Sequence, residues 1–467
     1  MSIFGLGILR LNILGLNILG LSIRANEVGI TDYFVQRSHM NTSQPTEPTI
    51  KPCLLIISQP NSYRIAPYIN AAKRMGLNVL VASRGEFSLI SEVYEGLHID
   101  LNDHESSLKL ILKAAKTKNI SGVLGSDDST VELAAKAAHA LNLPHNPPEA
   151  AQLTIRKDLA RAHLSLNKCA VPIHCLINLN TPLERQTAGL PWPCVMKPLN
   201  LSASRGVIRV DNKADFISAC ARIKNIIAES ATEFERSHIL IEDYIDGIEV
   251  AFEGYLENGE LFPLVIFDKP EPLTGPFFEE TIYVTPSKLN QKMQDKIQHR
   301  IAQACTAYGL TTGPVHAELR INDEDAWILE VASRTIGGDC ARILDAGNDF
   351  NLEELVISLA TAKPVNTKPP HNARGVMMIP IKKGGILRRV EGLGAAKKVE
   401  YIEKLDIIIR EGNELIPLPE GNQYPGYIFA QADTREQVIG ALKKAYNELN
   451  FVVAPVFKLL NHTEQQA

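Results

Sequence analysis

Glu318, Glu330 and Arg334 lie in two adjacent apolar segments, GPVHAELRI (313–321) and AWILEVASRTIGG (326–338). In the first, Val315, Ala317, Leu319 and Ile321 alternate with His316, Glu318 and Arg320, the period of a strand with one apolar and one polar face. The NDED turn between them predicts a hairpin centred near Glu324, with Glu318 opposite Glu330 and their Cβ atoms about 5 Å apart. Like charges at that spacing repel by roughly 3 kcal/mol at an effective dielectric near 20, and a bound cation removes the repulsion. Oxygen ligands without a His/Cys cluster favour Mg²⁺, with Mn²⁺ as a substitute, and Mg²⁺ usually sits between one or two carboxylates and the phosphates of a substrate. On this reading Glu318 and Glu330 hold the metal and Arg334 reaches a phosphate or acyl oxygen, while Gly337 and Gly338 let a substrate approach the backbone. The same pattern also fits an exposed hairpin whose charges face water.

Two further stretches carry candidate chemistry. In VMKPLNLSASRGVIRV (195–210), Lys197 ends a strand beside Pro198, and the loop that follows can offer backbone N–H groups and the hydroxyls of Ser202 and Ser204 to phosphate oxygens. A loop of that composition can equally be only a loop. In IEDYIDGIEV (241–250), Glu242 and Glu249 bracket the turn Asp246-Gly247; carboxylates so placed can accept from an exocyclic amine or ribose hydroxyls, or simply face solvent. Neither G-x-x-x-x-G-K-[ST] nor G-x-G-x-x-G after the first strand occurs.

The elements that must position these residues fall into three regions. From Cys53, the run CLLII, a polar loop, a helical stretch and the strand NVLVAS read as strand–helix–strand, hence a parallel sheet. ISGVLG and a helix with Ser129 and Glu132 at capping-box spacing follow, and Pro144, Pro147 and Pro148 close this α/β domain, 51–150. Residues 151–364 mix helices with antiparallel strands, including a helix that stops at Gly309. The proline-rich KPVNTKPP precedes a C-terminal α+β domain, 365–460, whose last helix starts with a Thr434/Gln437 capping box. The expected fold class is therefore α/β followed by α+β.

With 467 residues and 45% hydrophobic content the chain is long enough for about three globular domains. A net charge of −5 without a basic block gives no footprint for nucleic acid. Seven scattered cysteines with no C-x-x-C suggest neither a disulfide framework nor zinc, and fit a reducing cytoplasm. Residues 1–50 form a leader, read as disordered or artefactual with Met40 as the start; its period-five repeat is apolar, but interrupting polar residues and the lack of a basic n-region argue against a membrane anchor.

Taken in order, these stretches resemble the ATP-grasp superfamily of carboxylate-amine ligases, in its amino-acid ligase and biotin carboxylase-like branches, over Cys53 to Val453. The resemblance implies a parallel α/β domain preceding a two-lobed nucleotide-binding domain with a mobile lid over about 165–245. It places Lys157, in RKDLARAHLSLNKCAVP, and Lys197 on the nucleotide, and likens 200–207 (NLSASRGV, with Ser202, Ser204, Arg205 and Gly206) to the phosphate loop, although Ala203 stands where glycine is common. It assigns Glu242, Tyr244, Ile245 (through its backbone) and Glu249 to the adenine and ribose, Glu318 and Glu330 to the metal, and catalytic roles to Lys197 and Arg334. Ala332 replaces the asparagine of E-x-N-x-R, which bears on whether a second metal is held. PLTGPFFEETIYVTPSKL falls where such enzymes carry substrate loops; there Glu279, or Glu280 beside it, could pair with an ammonium group, and His316 is a further substrate candidate or a packed strand histidine. The implied reaction uses ATP and Mg²⁺ to join a small carboxylate, such as an amino acid, to an amine through an acylphosphate. A non-catalytic nucleotide-binding regulator and a bicarbonate-using carboxylase step remain as alternatives, and a homodimer is the default assembly.

Overall fold

The computed structural model describes residues 51–60, 62–85, 95–230, 232–345, 350–365, 367–368 and 372–456; the leader expected over 1–50 lies outside them. Strands β1 (Cys53–Ser58), β2 (Asn78–Ser83), β3 (Glu95–His98) and β4 (Ile120–Gly125) form a parallel sheet in the order β3-β2-β1-β4. Every residue of β1 is buried, because a parallel strand covered on both faces has no polar side to present. The loops leaving β1 and β4, adjacent strands, emerge at the same carboxyl edge, where open α/β sheets form a crevice. The expected Ser129/Glu132 capping box does not form. A 3₁₀ turn, Asp128–Thr130, precedes the helix Val131–Ala140, so the box closes between Asp127 and Thr130, and Ser129 instead accepts from Gln59 Nε2 at 2.8 Å.

An antiparallel sheet follows, β5 (His174–Asn178), β6 (Cys194–Pro198), β7 (Ile208–Val210) and β8 (His238–Asp243), in the order β5-β8-β6-β7. The helix Lys213–Ile226 seals one face with Phe216, Cys220 and Ile223, packed on Met196, Ile208 and Ile241. β9 (Ile248–Glu257) and β10 (Glu260–Asp268) are joined at Asn258-Gly259, both left-handed, the two-residue turn whose twist matches antiparallel strands. With β11 (Ile282–Thr285), β12 (Gly313–Ile321) and β13 (Ala326–Ala332) they run in the order β13-β12-β9-β10-β11. The helix Gln291–Tyr308 lays Ile297, Ile301 and Cys305 into the same core as Phe252, Leu319 and Val331, and ends at left-handed Gly309 as its sequence predicts.

The sheet does not stop at the proline-rich stretch. β14 (Ala373–Met378) pairs with β11 through Ile282↔Met377 to Thr285↔Arg374, and β18 (Gly426–Ala432) and β16 (Ile402–Ile407) extend the sheet to eight strands. The remaining strands are β15 (Gly385–Glu391), β17 (Glu414–Leu415) and β19 (Asn450–Ala454), with β17-β15-β19 forming a small separate sheet. The Thr434/Gln437 capping box forms at the helix Arg435–Asn447, which packs Val438 and Leu442 on this extension. One apolar core joins Leu54 and Ile56 of β1, Phe267 and Tyr283 of the large sheet, Leu355 of the helix Leu352–Ala360, and Phe429 of β18. The described residues form one compact unit. Among the described residues no helix is long and apolar enough to cross a membrane, and all seven cysteines are free.

A chain ended after Pro364 therefore leaves β11 as an open edge and uncovers the core beneath it, a recognised route to aggregation. We expect that truncation to be insoluble or aggregated on size exclusion; a soluble monomer with intact nucleotide binding would contradict the shared-sheet account.

Candidate active site

β12 and β13 pair antiparallel with Glu318 directly opposite Glu330. Near the turn, Leu319 faces Ile328; a bulge between Glu318 and Leu319 then shifts the register by one residue, and this shift brings the two glutamates level. They border a cavity of about 660 Å³ enclosed by the β5–β8 lobe, the large sheet, the loops after β1 and β4, and segments beyond residue 377. The strands thus place in one cavity wall two acids whose own repulsion would separate them.

At one end of the cavity Glu242 is almost fully buried, accepting from Arg161 Nε at 2.5 Å and Lys197 Nζ at 2.6 Å. Burial alone would raise its pKa, but the two cations outweigh burial and hold it at about 2. Lys197 is thereby fixed at the end of β6, facing the cavity. Lys157, the first residue of its helix, donates to Leu201 O at 2.8 Å and lies 3.4 Å from Glu330. It ties the loop after β6 to the metal-strand carboxylate. In that loop Ala203 and Ser204 have φ of 54° and 53°, the left-handed region that costs a side-chain-bearing residue roughly 1–2 kcal/mol. Ser202 and Ser204 border the cavity, as do Tyr244, Ile245 and Glu249. Arg205 and Gly206 do not: Arg205 donates to Glu420 O at 2.9 Å and the Gly206 amide to Pro419 O at 2.8 Å, anchoring the loop to the C-terminal region.

Beneath the floor, under Glu249, Glu280 and Glu318, Lys269 is the cation that sequence reasoning missed. Its ammonium donates to Glu249 at 2.7 Å, to Glu280, and to Glu318 at 3.2 Å, and it is almost fully buried. Burial works to discharge it, but the three carboxylates outweigh burial and hold its pKa well above the ordinary lysine value. Glu280 carries the opposite consequence: burial, then the charge on Glu318, push it up to about 7 in spite of Lys269. Tyr283 donates to its other oxygen at 2.7 Å. The one available signal was position, since Lys269 immediately follows β10, whose last residues pair with the Glu249 end of β9.

The donor set suits a hard divalent cation. Glu318 and Glu330 stand opposite each other in register and both border the cavity, and ligand atoms of Glu249, Glu280 and Glu318, a group that does not include Glu330, lie within 4.8 Å of one another. Ala332, buried opposite His316, adds no donor where a further oxygen ligand would stand. His316 lies 3.5 Å from Glu253 and 3.7 Å from Glu318; burial opposes its charge, but these acids outweigh burial and raise its pKa.

Beyond Glu330, Arg334 forks onto Asp128, Nε to Oδ1 at 2.8 Å and Nη2 to Oδ2 at 3.0 Å, and stands 3.9 Å from Glu330. The loop that carries it is pinned by the buried Glu253, which accepts from the Ile336 amide at 3.0 Å. The sequence reading did not single out Asp128; that an acid after β4 reaches Arg334 required the packing of two distant segments. Gly337 and Gly338 both border the cavity but differ. Gly338 has φ 62°, and a Cβ there would fall 2.3 Å from Met378 Sδ, so protein packing rather than substrate demands that glycine. The expected substrate role of Glu279 is corrected. Its carboxylate turns out of the cavity to accept from the Ile381 amide at 3.1 Å, and adjacent residues at this turn point in different directions, leaving Glu280 inside.

Residues 69–145, 190–343 and 377–454 match the families described as ATP-grasp N-terminal domain, ATP-grasp domain and L-amino acid ligase C-terminal domain 2. The chain is similar to an alanine–anticapsin ligase of Bacillus subtilis, 28% identical over 253 residues that make up 50% of this chain and 52% of the relative. It is also similar to a dapdiamide A synthase of Enterobacter agglomerans, 24% identical over 238 residues, 50% of this chain and 55% of the relative. The chain spans about half the length of the curated relatives it matches. An L-amino acid ligase structure from Bacillus licheniformis superposes with a TM-score of 0.73 at 25% identity, covering 86% of this chain and 99% of that one. A phosphoribosylglycinamide synthetase from Anaerococcus prevotii shares the fold, with a TM-score of 0.63 at 16% identity over 86% of this chain and 100% of that one.

Two variants test the charge arrangement. Glu242→Gln leaves two cations facing a neutral group and should destabilise by about 3 kcal/mol or more, measured by denaturant unfolding at neutral pH. Because the folded-state pKa of Glu242 is depressed, its contribution is complete above the ordinary 4.5, declines as pH falls, and is gone below about 2; the stability gap between wild type and variant should close over that window. Lys269→Met strands three clustered carboxylates and should cost about 3–5 kcal/mol, partly recovered by millimolar Mg²⁺ in thermal unfolding. A neutral effect would mean that the acids are hydrated and independent.

Proposed function

The chain belongs to the ATP-grasp superfamily, and from that premise we propose that it is an ATP-dependent ligase that joins a small carboxylate, such as an amino acid, to an amine through an acylphosphate. The observation that carries this reading is the alignment of Lys157, Glu330 and Arg334 along one cavity, with Glu318 beside Glu330. That order matches a reaction in which triphosphate enters at the lysines and the acyl group meets it before the arginine.

Mg²⁺ held by Glu318 and Glu330 would supply Lewis-acid neutralisation of the phosphoryl oxygens. Lys197 and Lys157 bind phosphate oxygens, and the Leu201–Ser204 stretch adds backbone N–H groups and the hydroxyls of Ser202 and Ser204. Glu242 and Glu249, at the two ends of the β8–β9 turn, flank the nucleoside, with the backbone of Ile245 between them. Arg334 stabilises charge on the acyl oxygen while the carboxylate attacks the γ-phosphate and expels ADP, and again when an amine displaces phosphate from the acylphosphate. Asp128 holds the guanidinium in position and keeps it charged. In this reading Glu280, which borders the cavity and accepts from Lys269 and Tyr283, takes the ammonium group of the acyl substrate as a further donor. The β5–β8 lobe, anchored through Arg205 and Gly206 to residues 419–420, excludes the water that would hydrolyse the intermediate.

One observation favours a second reading. Ala332 offers no donor beside Glu330, as a nucleotide-binding regulator without turnover would permit. That reading predicts MgATP binding without phosphate release from any substrate pool.

Purified protein incubated with MgATP and pooled amino and carboxylic acids should release ADP and yield a condensed product of amide mass. Glu330→Gln should lower ADP release at least about 100-fold, since removing a charged ligand to the transferring phosphoryl group costs roughly 3 kcal/mol or more. Unchanged turnover in that variant would remove Glu330 from the metal site.

A further inference from the structure

Between β10 and β11 the chain leaves the floor of the cavity and returns to it. This excursion, residues 270–279, is a compact surface loop closed at its base by the ion pair of Lys269 with Glu280. Phe278 and Glu280 border the cavity, while 273–277 stand outside its lining. The tip meets the β5–β8 lobe instead. Arg209, the middle residue of β7, donates its amide to Pro276 O at 2.8 Å and Nη1 to Thr274 O at 2.7 Å, and Ile208 forms an antiparallel bridge with Phe277. Phe277 packs on the apolar core of the lobe, with the Arg222 guanidinium 4.9 Å from its ring centroid. Gly275 permits the approach: its φ is 93°, and a Cβ there would fall 2.9 Å from Arg209 Cβ and 3.0 Å from Cδ. One loop thus continues the edge of the lobe's sheet at β7 and also carries Glu280.

The floor holds the same loop from its other side. Arg320 of β12 donates to Leu273 O, and to Ile245 O at 2.9 Å. The ring of Tyr244, in the β8–β9 turn between lobe and floor, has Arg209 4.1 Å and Arg320 4.9 Å from its centroid, so one aromatic side chain links a cation of the lobe to a cation of the floor. Asp211 accepts from Arg209 Nε at 2.8 Å and orients the guanidinium. A displacement of β7 from the floor must therefore break the contacts at 274–277 or pull the loop, and Glu280 with it. Arg209 itself is outside the cavity lining, so it acts on a ligand only through this loop. We propose that Arg209 is a positioning residue: by clasping the loop to the lobe it makes closure over the nucleotide and placement of Glu280 one event, so that nucleotide at one end of the cavity strengthens binding of the acyl substrate at the other. This rests on the ligase reading above, in which Glu280 takes the substrate ammonium, and adds the residue that couples the two sites.

The first arm of the test needs no substrate. Hydrogen–deuterium exchange of the full chain, with and without the non-hydrolysable analogue AMPPNP and Mg²⁺, should show protection of residues 270–281 as well as of the loop after β6 in wild type. In Arg209→Ala the loop after β6 should keep its protection and 270–281 should lose most of theirs, with the Kd for AMPPNP changed by less than about threefold, as for a partly exposed residue away from the nucleotide. The second arm uses the substrates identified from the pooled reaction. Arg209→Ala should raise KM for the acyl substrate about tenfold, the scale of one hydrogen bond from a charged donor, and leave KM for ATP near wild type. Gly275→Ala, which removes no charge but blocks the approach of Arg209, should reproduce that rise; Arg209→Lys, still able to donate to Thr274 O, should recover part of it. Exchange in 270–281 that ignores nucleotide in wild type, or a loss in Arg209→Ala shared equally by both KM values, would overturn the proposal. Protection of 270–281 in a protein that turns over no substrate would support the clasp and sink the ligase reading alone. AMPPNP without effect anywhere in the chain would sink the nucleotide site, and this proposal with it.

Discussion

Carboxylates in a partly buried cavity must be matched by positive charge, and the architecture around this site follows from that requirement. Two opposite charges about 4 Å apart gain roughly 4 kcal/mol at an effective dielectric of 20, comparable to a large part of a domain's net stability. Here Glu242 has Arg161 and Lys197, Glu318 has Lys269, and Glu330 has Lys157 and Arg334. No single segment supplies these cations. They arrive from one helix, two strand ends and a loop, so the charges come into balance only when those elements pack. The same balance suits a site for triphosphate and metal, since a substrate that adds both signs can enter without leaving either uncompensated.

The β9–β12–β13 core of the large sheet turns that requirement into geometry. β12 lies between β9 and β13, so Glu249, Glu318 and Glu330 are contributed by neighbouring strands, and Lys269 at the end of β10 reaches under them. The bulge at Glu318 brings the pair level. Around this rigid floor the other parts play different roles. The parallel sheet contributes loops rather than strands, setting Asp128 and Arg64 at the wall, and the C-terminal strands continue the floor instead of forming a separate body.

The loop after β6 shows how binding competence is built against local preference. Ala203 and Ser204 both adopt left-handed backbone without being glycine, and the contacts that hold them there come from Lys157 on one side and residues 419–420 on the other. A strained segment held by distant partners is well defined yet close to an alternative conformation, a useful property in a lobe that must admit and release nucleotide.

Alternation, turn residues and spacing made much of this molecule legible from its amino acids. The 316/318/320 face and the NDED turn follow from the two-residue period of a strand, the Glu318–Glu330 pairing needs the bulge at Glu318 as well, and the ends at Gly309 and Thr434 follow from local backbone chemistry. Such signals act over a few residues, and so the sequence carries them whole. What it could not carry were partners far apart in the chain: Lys269 among three acids, Asp128 on Arg334, Arg64 on Thr335, and the choice of Glu280 over Glu279. Those depend on which faces meet after folding, and a side chain's direction at a turn is set by packing across more than a hundred residues rather than by its neighbours. The sequence determined which groups could do chemistry; tertiary structure alone decided which of them would face one another, because electrostatic pairing is a property of distance in space and not of distance along the chain.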